Sequence, residues 1–586
     1  MRAKRPMNAI LPSSRATRRG QNAWVMISSL LWCVLASASS AHEDPAPQFH
    51  ERVLVGTQMT CGTVRKDWIL EVDGGGLVLG DFDGSGSVDL VLVDGSTPER
   101  ALAGGPGQPA RLFWNSGSAS FAPADETWSL VPGRWGMGGA AGDLDGDGRT
   151  DLVVTHWGAD QRFRNTGHGF ELVAESGLTG QRWGTSAALL DYDRDGVLDL
   201  FVVNYLDFDF ADVASRASGE CVWKGVAVNC GPEGLAPQGD QLYHGRSEGG
   251  FEEVTEALGI GAAPAAFGLG VVSGDFDADG DQDLYVTNDS MPNHLWQNDT
   301  TPGGTLFQEV GLRRGVAVSA NGREEAGMGV AEGDLDGDGR TDFVVTNFSG
   351  ESHSVYLSGG RRSYRERGGQ LGVGGDSVPL LGWGTGLHDF DLDGDLDLFA
   401  CHGHVYPQAD RPGSDSSYAQ HDLLWRNGGD GDTPAFQVEP LSDGPARVSR
   451  AAVAADLDRD GDLDLLVIEL DGPVHLFENT QAVGESHWLG VGLVDRTSPG
   501  ADEPVRFRAV VGARVEVDLG ERTLTRELGS SAGFQANGPA ELHFGLGNAE
   551  ELAGLRVVWP DGVREAFTPP PTNAWVVVAR GAGRVL

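Results

Sequence analysis

Carboxylates recur in this chain at a spacing that could do metal chemistry. The pattern Asp-x-Asp-x-Asp-Gly-x-x-Asp, followed by an apolar run, occurs seven times. Its places 1, 3, 5 and 9 are Asp81, Asp83, Ser85 and Asp89 in loop 1, then Asp143, Asp145, Asp147 and Asp151 in loop 2. Loop 3 has Asp191, Asp193, Asp195 and Asp199; loop 4 has Asp275, Asp277, Asp279 and Asp283. Loop 5 has Asp334, Asp336, Asp338 and Asp342; loop 6 has Asp389, Asp391, Asp393 and Asp397; loop 7 has Asp456, Asp458, Asp460 and Asp464. Ser85 alone departs from Asp at these places, so loop 1 is expected to be the weaker site.

Four carboxylates within nine residues repel one another unless a cation compensates them. Calcium fits, because it accepts six to eight oxygen ligands at roughly 2.3–2.6 Å in irregular geometry, whereas magnesium holds out for a rigid octahedron. Zinc and copper favour Cys or His, which these loops lack. Place 7 varies (Ser87, Arg149, Val197, Asp281, Arg340, Asp395, Asp462), as expected of a position that lends only its carbonyl. Gly at place 6 permits the sharp turn. An EF-hand is excluded, since place 12 is Leu92, Val154, Val202, Val286, Val345, Ala400 or Val467 rather than Glu. Ordinary polar turns use Asp and Gly too, but they do not need four carboxylates in fixed register. Up to seven calcium ions are therefore expected.

The loops need strands to hold them. Each is followed by a β-branched run such as DLVVT or DLFVV, which favours strand over helix. A small-residue stretch precedes most loops (RWGMGGAAG from Arg134, AFGLGVVSG from Ala266), a third strand ends at Asn115, Asn165, Asn298, Asn427 or Asn479, and a fourth begins at Phe170, Phe251, Phe307 or Phe436. Loop starts lie 48 to 84 residues apart, so each repeat has the four strands of a propeller blade. The predicted fold is all-β: a seven-bladed β-propeller over 42–484, interrupted at about 205–241, and a small antiparallel β domain over 485–586. Small residues let the innermost strands approach closely. Trp135, Trp183, Phe267 and Trp383 read as packing between blades rather than as a ligand platform.

Charge narrows the partners. The formal net charge is −42, which excludes a polyanion such as nucleic acid, since no basic stripe is present. Residues 1–41 read as a secretory signal to the extracellular space or a periplasm, with six basic residues, an apolar core over 23–36 and a small-residue cleavage site after Ala41, the alternative being an uncleaved membrane anchor. That address predicts no membrane span in the mature chain and a local disulfide between Cys221 and Cys230. Cys61 and Cys401 read either as a long-range pair or as two buried thiols. His402 and His404 with Asp410 form a weak transition-metal candidate, and Ser530, Ser531, His543 and Asp561 lack the nucleophile elbow of a hydrolase triad.

The acidic loops resemble the FG-GAP or VCBS repeats of integrin alpha-subunit propellers. The segments DFDLDGDLDLFACHGHVYP, LYHGRSEGGFEEVTEALGI, VGARVEVDLG (511–520), ELHFGLGNA (541–549) and LRVVWPDGVRE (555–565) resemble the cartilage acidic protein family with its ASPIC/UnbV domain. The resemblance implies a secreted, calcium-binding propeller followed by a small β domain, and no particular activity. The expected role is a binding, adhesion or scaffold module for an extracellular protein or glycan. The alternative is a calcium-supported hydrolase or lyase acting on an extracellular polymer, although no catalytic set stands out beyond the loops.

Overall fold

A computed structural model describes residues 47–299, 304, 306–360, 363–429, 433–480, 486–497, 506–583 and 585. The secretory signal read over 1–41 lies outside them. Among the described residues the chain is all-β, with short helical turns. Six antiparallel four-stranded units follow one another along the chain, the second and third joined into one eight-stranded sheet where Arg182 and Trp183 pair with Gly158 and Trp157. Sheet 1 runs from Gly76–Gly80 to Phe121–Pro123, and sheet 2 from Trp135–Gly142 to Phe170–Leu172. Sheet 3 runs from Arg182–Leu190 to Phe251–Glu253, and sheet 4 from Gly268–Gly274 to Phe307–Glu309. Sheet 5 runs from Val330–Gly333 to Tyr364–Glu366, and sheet 6 from Gly382–His388 to Phe436–Pro440.

A seventh sheet has Ser449–Ala455, Asp464–Glu469 and Val474–Asn479, but its fourth strand is Phe49–Val53 from the other end of the chain, with Phe49 opposite Asn479. Phe49 takes the aromatic place that opens the fourth strands elsewhere, and its ring meets Phe390 edge-on at 5.6 Å. The innermost strands adjoin in chain order and the seventh returns to the first, which closes a ring.

Glycine makes this closeness possible. A Cβ on Gly138 would lie 2.6 Å from the Thr185 carbonyl oxygen of the next sheet, and one on Gly329 would lie 2.1 Å from that of Trp383. Backbone cannot yield as a side-chain tip does. Gly329→Ala should therefore cost stability at the upper end of the ~1–3 kcal/mol usual for overpacking, measured by denaturant unfolding. A loss below a few tenths of a kcal/mol would mean the strands can part cheaply.

The aromatic residues are buried as expected, but not between sheets. Trp135, Trp183, Phe267 and Trp383 join one apolar cluster that draws on the approaches to all seven inner strands and has Phe534 of the C-terminal region among its members. They converge because each opens an inner strand, where the sheets come nearest together.

The C-terminal region forms two four-stranded sheets over its own apolar core. One pairs His487–Thr497 with Arg506–Ala509, Glu541–Gly547 and Ala574–Ala579; the other holds Arg514–Asp518, Thr523–Glu527, Gly554–Val558 and Arg564–Phe567. It is not wholly antiparallel, as the alternation had suggested. Ala574–Ala579 runs parallel to His487–Thr497, because the chain returns to that sheet only after building the other.

Between the two sheets the chain leaves this core and enters the ring. Gly533–Phe534 pairs with the inner strand of sheet 4, and Ala536–Asn537 pairs in parallel with that of sheet 1. Gln535 accepts from the Leu77 amide at 3.1 Å, and its own amide donates to Ser186 Oγ at 2.9 Å. Ser530 and Ser531 are spent here as well. Their hydroxyls donate to the Leu189 and Val271 carbonyls at 2.8 and 2.7 Å.

Candidate metal centre

All seven loops sit between the first and second strands of a sheet, and so on one face of the ring. Two anchors fix each loop. The residue at place 2 (Phe82, Leu144, Tyr192, Phe276, Leu335, Phe390 or Leu457) is buried in the core. The carboxylate at place 9 binds backbone: in every loop its Oδ1 accepts the amide that ends the third strand, at 2.7 to 3.0 Å. In loops 1 and 3 to 7 its Oδ2 also accepts the place-2 amide, at 2.9 to 3.2 Å. The ninth residue is thus a staple between strands, although its oxygens keep a second lone pair for a cation, except Asp199 Oδ1, which His244 also reaches.

The turn itself follows from place 1. Its Oδ2 accepts the amide of the place-6 glycine in all seven loops, between 2.8 and 3.1 Å. That glycine has positive φ throughout, from +77° at Gly339 to +103° at Gly461. Place 4 is left-handed too, which the sequence did not announce. Arg194, Ala278, Leu392 and Arg459 take φ of 57° to 64° there, a conformation L-residues adopt only when the surroundings fix it.

These bonds gather the acidic oxygens. Asp81, Asp83 and Asp89 present carboxylate oxygens within 4.8 Å of one another, as do places 1, 3 and 5 of loops 2, 3 and 4. The sequence reading is thereby sharpened: where place 5 is Ser85, place 9 completes the trio. Buried oxygens of Asp191, Asp277, Asp334, Asp336, Asp389 and Asp456, each an Oδ1, have no hydrogen-bond partner. A cluster of unsatisfied anionic oxygens is costly without compensation and suits a hard cation of high coordination number. Place 7 is less idle than expected, since Arg149 pairs with Asp147 and Arg340 with Asp338 through the Oδ2 atoms.

Burial, and then the neighbouring acids, push these carboxyls up. Asp89 is raised to about 7, Asp151 to about 6 and Asp464 to about 8. Asp283, Asp342 and Asp397 are raised further for the same first reason. Beside loop 3, His244 donates through Nδ1 to Asp199 at 3.1 Å and is raised to about 9, chiefly by that bond.

The sequence marked the recurrent asparagines as strand ends and missed their work. Asn165 Nδ2 donates to the Phe82 carbonyl of loop 1 at 2.8 Å, Asn298 to Tyr192 of loop 3 at 2.9 Å, and Asn479 to Phe390 of loop 6 at 2.9 Å. Asn115 reaches back from sheet 1 to Leu457 of loop 7 at 2.8 Å, across the ring's closure. Each holds the loop of the preceding sheet.

Elsewhere the weaker candidates disperse. His402 Nε2 faces His353 Nε2 at 3.1 Å with stacked rings, and Asp410 instead accepts the Tyr418 amide. His543 donates to the Gly461 carbonyl, and Asp561 pairs with Arg580. Cys221 and Cys230 are joined, S–S 2.01 Å, whereas Cys61 and Cys401 are separate buried thiols.

This geometry defines an all-β repeat protein organised around acidic loops. The FG-GAP-like repeat family matches residues 81–154, 143–202, 275–345 and 389–467, and the ASPIC and UnbV family matches 506–585. Cartilage acidic protein 1 of Homo sapiens is 26% identical over 351 residues, 57% of this chain and 47% of that one. The Mus musculus protein is 27% identical over 320 residues, 52% and 44% of the two chains. The chain thus spans about half the length of the curated relatives it matches. Among solved structures, an Agrocybe aegerita lectin described as recognising non-reducing terminal N-acetylglucosamine is 15% identical, with TM-score 0.35, covering 68% of this chain and 85% of its own. A rhamnogalacturonan lyase is 12% identical with TM-score 0.29, covering 71% and 76%. The chain is an FG-GAP-repeat protein with a C-terminal ASPIC and UnbV domain, related to cartilage acidic protein 1.

Proposed function

We propose that the protein is an extracellular calcium-binding scaffold: a seven-bladed propeller stiffened by ions in its acidic loops, which presents its opposite face to a partner. The buried, unpartnered carboxylate oxygens of the loops carry this reading. Calcium would be held by places 1, 3, 5 and 9 and would supply the positive charge that these carboxylates lack. The bonds from glycine at place 6 and asparagine of the next sheet keep the donors in register before an ion arrives.

Sheet geometry supports this choice of partner face. Connections between second and third strands leave the edge opposite the loops. The long connections there are 205–240 in sheet 3 and 403–422 in sheet 6. They meet, since the Trp223 ring lies 4.8 Å from His404 and 5.7 Å from Tyr406, and Lys224 pairs with Asp415. A half-buried Trp223 with Lys224 4.7 Å from its ring suits an extracellular glycan or an acidic protein segment. No helix among the described residues is long and apolar enough to cross a membrane.

The test is an array of extracellular glycans and matrix proteins probed with the mature chain, with calcium, with chelator, and as Trp223→Ala. Retained binding that falls with chelator or with the substitution supports the proposal. Turnover of an arrayed polymer would replace the scaffold reading with the enzymatic one.

Raised carboxyl pKa values also fix the pH dependence. In the metal-free chain a folded value near 7 lies above the ~3.9 of a free Asp. Its contribution to stability is therefore full below about pH 4 and is lost as pH rises through 7. Ion capture runs the other way, because protons compete for the ligands. The calcium-induced gain in melting temperature should be largest near pH 8 and shrink steadily towards pH 5; a gain independent of pH would contradict it.

A further inference from the structure

The C-terminal domain sits on the acidic loops themselves. Trp575 Nε1 donates to Asp456 Oδ2 of loop 7 at 2.7 Å, and His543 Nε2 donates to the Gly461 carbonyl of the same loop at 2.9 Å. At loop 6, Arg522 pairs with Asp395 at 2.7 Å and donates to the Asp393 carbonyl, while the Gly547 amide donates to Leu392 at 2.8 Å. Arg508 donates to the Gly196 carbonyl of loop 3, and Glu527 accepts the Asp275 amide of loop 4 at 3.0 Å. The domain therefore grips loop backbone and the outer oxygens, and leaves Asp389 Oδ1 and Asp456 Oδ1 buried without partners.

Between ring and domain lies a cavity of about 220 Å³. On the ring side its wall carries the place-1 carboxylates of loops 4 to 7 with Asp277, Glu332 and Arg340, and the domain brings Glu527 and Glu541 as well as Arg514 and Arg526. Docking thus buries more negative than positive charge, and buried like charges repel strongly. Ions in these loops would supply the missing charge.

We propose that the C-terminal domain is a calcium-coupled clasp: capture of ions by loops 3, 4, 6 and 7 and closure of the domain with its inserted segment 529–538 are a single linked equilibrium. This rests on the calcium reading above and adds a division of labour among the sites. Loop 2, whose acids pair with Arg149 and Arg164 of its own sheet, fills without reference to the domain. Linkage is reciprocal, so whatever ions do for docking, docking does for ion affinity.

Hydrogen exchange of the full mature chain tests it, read at amides of 533–547 and 574–579. Chelation should speed exchange there about tenfold or more, within the range of ordinary coupling energies. At saturating calcium Asp456→Asn and Asp393→Asn should do the same, while Asp145→Asn of loop 2 should leave these segments as protected as in the wild type. Conversely, Trp575→Phe, which keeps an aromatic ring but removes the N–H donor, should weaken one class of ion about tenfold by calorimetric titration. Clasp segments equally protected in all three Asp variants, or unchanged ion affinity in Trp575→Phe, would overturn the proposal even where calcium still raises the melting temperature. Absence of any ion binding would instead strike the calcium reading itself.

Discussion

Removing calcium from the mature protein is expected to lower its melting temperature by roughly 10 °C or more. The size comes from mass action: a site that binds only the folded chain adds about 2.7 kcal/mol when the ion is at a hundred times Kd. Several such sites act together, and because unfolding entropy grows with length, a folding unit of this size gains about 1 °C for each kcal/mol. Electrostatics gives the same sign, since the formal net charge of −42 includes acids crowded into loops and pushed against the core at place 2. Differential scanning fluorimetry with calcium, with magnesium and with chelator measures it. Calcium should restore the transition fully and magnesium only in part, because the loops are irregular cradles of acidic oxygens.

Replacing Phe534 by Ala should be the most damaging single substitution outside the loops, at about 3–5 kcal/mol by denaturant unfolding. Phe534 is fully buried, its ring lies 5.0 Å from Trp383, and it belongs to the cluster shared by all seven inner strands. The lost contacts would not be recovered, because the inner strands are tied to one another and cannot collapse into the gap. Both the ring and the C-terminal domain should lose stability together. A substitution that unfolds only the C-terminal domain, leaving the ring's transition unmoved, would show that the inserted segment is a passenger.

The acidic loops were legible because they are local. Nine consecutive residues carry the donors and the turn, and place 6 could be read from glycine alone. The left-handed place 4 was hidden wherever it is Arg194, Ala278, Leu392 or Arg459, since there the surrounding turn imposes the conformation. The role of the asparagines was half visible: their recurrence was plain, but their target lies on a neighbouring sheet. What escaped altogether depends on distant segments. Phe49–Val53 finds its partner at Val474–Asn479, and the strand pattern FHERV is too short to announce a pairing across the whole ring. The parallel entry of Ala574–Ala579 was invisible for a related reason, because alternation of apolar residues reports which face is buried and not which way the strand runs. Only the apolar cluster that receives segment 529–538 gives Phe534 its meaning.

The most direct test is to count the ions. Native mass spectrometry of the mature chain in calcium, with loop variants such as Asp338→Asn each removing one site, should find up to seven calcium ions, the loop with Ser85 filling last. A chain that carries none, with the same melting temperature in calcium and in chelator, would contradict the account at its root.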